Sequence, residues 1–269
     1  MPSGHTKIIF DRTDRVTIGK SSVIGSRKEQ QDTIMTDVDY DYMSDGRAIA
    51  VLCDGMGGMQ GGAIASQVAA ANVFYGFHSM PEGQDIRKFY EDILTQVDMD
   101  VHSLRTSTGA PMRTGTTIVS AAITEGYLYI ANVGDSHGYL IRDGQLNLIT
   151  KEHNLMMLLL ERVANGEMTL EEARQDPKRE ALVSYLGMGG LRYKQVTDPP
   201  LTLKDGDYVV LCSDGLYRSV SNAEIANVVL SRGTDVQGAA DELTSLALSK
   251  GKRNQDNTSV VVLMYKILD

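Results

Sequence analysis

The chain has 269 residues, a formal net charge of −9 and an ordinary charged fraction of 23%. That length can bury a sizeable core and suits one large domain or two small ones. No run is apolar over the roughly 20 residues that cross a bilayer, and the acidic balance argues against a nucleic-acid surface.

In chain order, MPSGHTKIIFDRTDR has charges on both sides of a very short apolar run and does not read as a signal peptide, so the cytoplasm is the expected location. IGKSS at 18–22 lacks the partner glycine of a phosphate-binding loop, since position 14 is Asp14. DVDYDYMSDG, from Asp37, opens like a calcium loop, but its sixth and twelfth positions are Tyr42 and Ala48 instead of Gly and Glu; it reads as an acidic turn. Residues 48–53 are the first β-type run, and the Ala-rich stretch 61–79 predicts a largely buried helix. Over 84–105, Ile86, Phe89, Tyr90, Ile93, Val97, Val101 and Leu104 fall at helical spacing. Strands are expected at 115–123, 126–133 and 137–142, with Glu125-Gly126 and Asp143-Gly144 as hairpin turns.

The segment 155–190 is an insertion between strands, suited to a flap over a site. It predicts helices over 154–164 and 169–175, the second opened by a Thr169/Glu172 capping box and ended by Pro177, with its methionines as core filler. Strands at 207–213 and 257–266 and helices at about 221–231 and 235–249 complete the chain. Hairpin-joined strands with helices gathered in pairs favour an α+β layered domain over a doubly wound one. The two cysteines, Cys53 and Cys212, read as buried free thiols, with a disulfide as the alternative if their strands are neighbours.

VLCDGMGG (51–58) and VVLCSDGL (209–216) both end an apolar run in Asp-Gly. Asp32 in GSRKEQQDT, Asp54, Asp135 in NVGDSHGYL, Asp214 and Asp256 in NQDNTSVVVL each end such a run or follow a short polar signature. Singly, each is a turn residue or a cap. Together, strands ending in carboxylates bring like charges to one rim, where repulsion raises their pKa values unless divalent cations bind. All-oxygen ligands suit Mg2+ or Mn2+, and the glycine after Asp54 lets a backbone carbonyl approach a metal with no Cβ in the way. The five histidines lack zinc-ligand spacing, and there is no G-x-S-x-G nucleophile elbow.

GSRKEQQDT, LCDGMGG with its Ala-rich helix, TGTT at 114–117, NVGDSHGYL, ITKEHN, GEMTLEEA leading into YLG, VVLCSDGL and QDNTSVVVL occur in that order. With them the chain resembles the metal-dependent protein Ser/Thr phosphatases, the PPM or type-2C group, in its compact bacterial form. The resemblance implies a single catalytic domain over 1–269, built as a four-layer αββα sandwich of two antiparallel sheets flanked by helix pairs. It implies two Mn2+ or Mg2+ ions per chain: Asp54 bridges them, Asp32 and the Gly55 carbonyl serve one, and Asp214 and Asp256 serve the other. Asp135, with Asp214, matches a third, weaker metal position. Arg27, which on spacing alone reads as a surface ion pair with Glu29 or a nearby Asp, matches the arginine that grips the substrate phosphate.

The implied reaction is hydrolysis of phosphoserine or phosphothreonine in proteins by a hydroxide bridging the cations, attacking phosphorus in line. The implied partners are phosphoproteins, opposing a Ser/Thr kinase, with no nucleic acid and no membrane; a monomer is expected. The alternatives are a non-catalytic relative that binds a phosphoprotein or partner, and a metal-stabilised structural domain. Gln31 stands where the family usually has an acidic residue, which predicts either weaker metal binding on the Asp32 side or a differently oriented water shell there. Met56 stands where eukaryotic members often have His. SHG at 136–138, KEH at 151–153 and SYLG at 184–187 also depart from the family pattern and bear on substrate preference.

Overall fold

The computed structural model describes residues 13–37, 47–57, 61–81, 83–250 and 254–268. The N-terminal stretch before Thr13, the acidic turn over 38–46 and Gly58 of the first Asp-Gly motif lie outside the described residues.

Along β3 (Ala48–Gly57), Ile49, Val51 and Cys53 alternate with Ala50 and Leu52, and all five are fully buried. Successive side chains of a strand point to opposite faces, so this strand is covered on both sides. The remaining elements are β1 (Thr13–Val23), β2 (Asp32–Thr36), α1 (Gly61–His78), α2 (Ile86–His102), β4 (Thr114–Thr116), β5 (Ile118–Thr124), β6 (Tyr127–Val133), β7 (His137–Arg142), β8 (Gln145–Leu148), α3 (Leu155–Ala164), α4 (Leu170–Gln175), β9 (Gln195–Val196), β10 (Leu201–Thr202), β11 (Tyr208–Cys212), α5 (Asp214–Tyr217), α6 (Asn222–Arg232), α7 (Val236–Ser249) and β12 (Thr258–Leu268).

One sheet has the order β1-β12-β11-β7-β8; the other runs β10-β6-β5-β3-β2, with β4 added to β3 and β9 to β6. Every pairing is antiparallel. Ala50, Leu52, Val119 and Ile130 meet Leu140, Leu211, Val261 and Leu263 between the sheets. Ile49, Val51 and Cys53 pack under α1 and α2 on one outer face. Tyr208, Val210, Cys212 and Val262 pack under α6 and α7 on the other. This is the expected four-layer α+β sandwich. Cys53 and Cys212 therefore face opposite outer layers as buried free thiols, which excludes the disulfide alternative.

Several boundaries differ from the sequence reading for local reasons. The predicted 115–123 strand is broken at Thr117, whose N–H donates to the Asp54 carbonyl at 2.9 Å. The second helix begins at Ile86 because Asp85 caps it, accepting from the Arg87 and Lys88 amides. β1 and β2 were not expected: β1 is an edge strand of mostly half-exposed residues with weak alternation. The capping box at Thr169 and Glu172 is present, and Ser221 with Glu224 forms a second one on α6. The methionines of 155–190 are half-buried and not core filler; Leu159 and Ala173 are the buried residues of α3 and α4.

Leu263 is fully buried between the sheets. Leu263→Ala is expected to cost about 2–5 kcal/mol, read as a lower urea midpoint at unchanged m-value.

Candidate active site

Sheet pairing brings the singled-out carboxylates to one end of the sandwich. Asp32 opens β2 and lies directly opposite Asp54 of β3 in the antiparallel register. Like charges facing each other across a strand pair are destabilising, so this position is unfavourable unless something neutralises it. Asp256 stands two residues before the start of β12, Asp214 two residues after the end of β11, and these strands are neighbours. Asp135 sits in the turn from β6 to β7.

The flanking polar residues fix the backbone at each carboxylate. Thr117 Oγ1 accepts the Asp54 N–H at 3.1 Å and is itself bonded to Ser136 Oγ at 2.7 Å, while Thr116 Oγ1 donates to the Asp54 carbonyl at 2.9 Å. Asn257 Nδ2 donates to the carbonyls of Ile24 and Glu29, and its Oδ1 accepts the Gln31 N–H, so it staples the 24–31 loop that carries Arg27. Gln255 Nε2 donates to the Gly215 carbonyl at 2.8 Å, tying down the segment after Asp214. The sequence reading assigned none of these residues a role. Their signal lay in the motifs themselves, where Asp256 stands between two amides and Asp54 pairs with TGTT.

The two Asp-Gly glycines serve close backbone approach. A Cβ on Gly55 would lie 2.1 Å from the Gly62 carbonyl oxygen at the start of α1, and one on Gly215 would lie 2.1 Å from that of Asn257. Neither separation is possible for a side-chain-bearing residue.

A cavity of about 480 Å³ is lined by Arg27, Asp54, Gly55, Asp135, Asp214 and Asp256, six of the seven singled-out residues. Asp32 does not line it. It lies buried behind the wall, with Oδ2 accepting from Ser213 Oγ at 2.8 Å. Gln31 and Met56 also face the cavity, as does Leu182 from the 155–190 insertion. Gln31 Nε2 donates to Glu29 Oε2 at 3.2 Å and to the Gly57 carbonyl at 3.3 Å.

Burial, and then the neighbouring negative charges, push the acids up. Asp32 rises to about 6 through burial, against hydrogen bonds from Ser259 and Ser213, with the charges of Asp214 and Asp256 adding to the rise. Asp214 also rises to about 6, chiefly by burial, opposed by Arg218 and assisted by Asp135 and Asp256. Asp54 is raised well above the usual carboxylate range by burial and by the charges of Asp32 and Asp214. Asp135 is raised by burial, with Arg218 opposing. His153, whose Nδ1 accepts the Gly134 N–H beside Asp135, is lowered to about 4 by burial and Lys151, so it stays neutral.

Oδ1 of Asp32 and Oδ1 of Asp214 are buried with no hydrogen-bond partner. Orphaned carboxylate oxygens are rare because their desolvation is costly. Hard divalent cations with oxygen ligands fit this donor set. Among the described residues no three such side chains already converge on a cation position. Arg27 Nη2 instead meets Asp256 Oδ2 at 2.5 Å, and Arg218 Nε meets Asp214 Oδ2 at 3.1 Å. The sequence reading missed Arg218.

The family model described as Protein phosphatase 2C matches residues 21–247. The serine/threonine phosphatase stp of Listeria innocua is 29% identical over 83% of this chain and 87% of its own length. The serine/threonine protein phosphatase PstP of Mycobacterium tuberculosis is 32% identical over 81% of this chain and 40% of its own length. Among solved structures, the S. agalactiae serine/threonine phosphatase superposes with a TM-score of 0.77 at 27% identity, covering 93% of this chain and 99% of that one. The PstP catalytic domain in complex with two manganese ions gives a TM-score of 0.75 at 27% identity, covering 94% of this chain and 100% of that one.

Asp32 and Asp214 favour the protonated form more in the folded chain than when unfolded, so the cation-free protein loses stability as pH rises from about 4 through about 6. Thermal unfolding with EDTA and with Mn2+ is expected to show a larger melting-temperature gap at pH 7.5 than at pH 5, and a smaller gap at pH 7.5 in Asp214→Asn.

Proposed function

The chain belongs to the protein phosphatase 2C family and is a serine/threonine protein phosphatase; we propose that it removes phosphate from phosphoserine and phosphothreonine of proteins using two Mn2+ or Mg2+ ions. The residues that would hold them are Asp32, Asp54, the Gly55 carbonyl, Asp214 and Asp256, with Asp135 and Asp214 available to a third. The observation that carries this reading is the pair of orphaned buried oxygens on two raised acids, Asp214 at the cavity and Asp32 behind its wall. When bound, such cations supply Lewis acidity and a water of lowered pKa.

The chain's own groups supply the rest. Arg27 is exposed at the cavity, and its contact with Asp256 uses one nitrogen of the fork. The remaining donors can take two oxygens of a phosphate, a geometry that lysine cannot copy. Thr116, Thr117 and Ser136 hold the Asp54 backbone rigid, so its carboxylate need not reorganise during the reaction. Met56 carries no proton to give, so the leaving serine or threonine oxygen takes its proton from solvent or from another group. Gln31 contributes no charge; its amide is spent on Glu29 and the Gly57 carbonyl, which supports the expectation of weaker cation binding on the Asp32 side. The substrate class sets the protein opposite a Ser/Thr kinase. Among the described residues no helix is long and apolar enough to cross a membrane.

Mn2+-stimulated hydrolysis of p-nitrophenyl phosphate and of a phosphothreonine peptide is expected, falling on the order of 100-fold or more in Asp214→Asn. Cation-dependent stabilisation with no turnover would overturn the reading in favour of a binding or structural protein. Arg27→Lys is expected to raise KM for the phosphopeptide by about 10-fold, read in steady-state kinetics, because the two-oxygen grip is lost.

A further inference from the structure

Arg218 lies one turn after Asp214, as the cap residue of the short helix α5, and its three guanidinium nitrogens face three different carboxylates. Nε is 3.1 Å from Asp214 Oδ2, Nη2 is 3.7 Å from Asp135 Oδ2, and Nη1 is 3.6 Å from Glu180 Oε2. Two of these acids are shielded cavity residues, with side chains 17% and 11% exposed, whereas Glu180 is 57% exposed and belongs to the flap. The same guanidinium thus joins the acidic rim to the insertion.

The part of the flap it reaches is the returning leg. The Arg179 carbonyl accepts the Met156 N–H at 2.7 Å, and the Ala181 carbonyl accepts the Leu155 N–H at 2.8 Å. The Val183 N–H donates to the His153 carbonyl at 2.9 Å. Between these bonds stands Glu180, and two residues further on is Leu182, which lines the cavity. Movement of this leg therefore changes the cavity wall.

We propose that Arg218 is a positioning residue, a tethered cation that neutralises the Asp135–Asp214 pair and latches the flap to it through Glu180. The inference rests on the reading that the cavity binds divalent cations. An arginine stays protonated at all relevant pH values, so it competes with a divalent ion for Asp135 and Asp214 at a fixed local concentration. An ion entering between these two acids displaces the guanidinium and loosens its hold on Glu180. Coupling of this kind is reciprocal: whatever weakens the latch strengthens cation binding, and cation binding weakens the latch by the same factor.

The test uses Mn2+ alone as the probe, with isothermal titration for binding and amide hydrogen exchange for the flap, on the full chain. In Arg218→Gln the weakest Mn2+ binding phase is expected to tighten about two- to five-fold, the factor that reciprocity ties to the latch. Exchange at the amides of Leu155, Met156 and Val183 is expected to rise about two- to five-fold, the scale of an exposed ion pair. Saturating Mn2+ should produce the same rise in wild type and none in Arg218→Gln. Arg218→Lys should return both readouts toward wild type, because it restores the charge. Glu180→Gln should raise exchange while leaving the number of bound Mn2+ ions unchanged. Unchanged Mn2+ affinity in Arg218→Gln, or exchange that does not respond to Mn2+ in wild type, would overturn the latch while leaving the proposed function standing. A wild type that binds no Mn2+ at all would overturn both.

Discussion

The constraint on which this molecule turns is repulsion between acids that the β-sheet register forces together. Asp32 faces Asp54 across one strand pair, and Asp214 and Asp256 come from the ends of neighbouring strands of the other sheet. No rearrangement of side chains alone separates charges that the backbone hydrogen-bond ladder has placed opposite each other. The charge has to be answered by cations or by protons, and both responses are visible. Arg27 and Arg218 lean on Asp256 and Asp214, and the acids themselves hold their protons to higher pH.

The rest of the architecture keeps that arrangement from relaxing. The two sheets are locked by an interdigitated apolar layer, and each outer face is covered by a helix pair, so the strand ends have little freedom to splay. Ser213 ties Asp32 of one sheet to the end of β11 in the other. Ser66 of α1 donates to the Gln31 carbonyl at 2.6 Å, bringing a helix layer into the same brace. Acids held rigidly in one cluster are already placed to receive a cation and need not gather around it.

Much of this was legible in the amino-acid order. The central strands announce themselves because they are buried on both faces and read as continuous apolar runs, as at 48–53 and 207–213, and the Asp-Gly steps mark where they end. The edge strands β1 and β2 were hidden because most of their residues are half-exposed and show no clean alternation of buried and exposed positions. Asp32 was picked out from its motif, but its position behind the cavity wall depends on the sheet pairing, which no local pattern carries. Arg218 had a signal in its spacing, four residues after Asp214, yet a helix of one turn leaves too short a pattern to read. Its contact with Glu180 joins segments distant in sequence and follows from the path of the flap.

The first and last described strands, β1 and β12, pair along eleven residues each, and β12 also pairs with β11. Until β12 has left the ribosome, β1 has no neighbour in its sheet and the Arg27 loop lacks the Asn257 staple that shapes it. A nascent chain can therefore build its inner hairpins early, but it cannot assemble a working rim. The rim is completed only once β12 is available, through long-range strand docking, which is the slow kind of folding step.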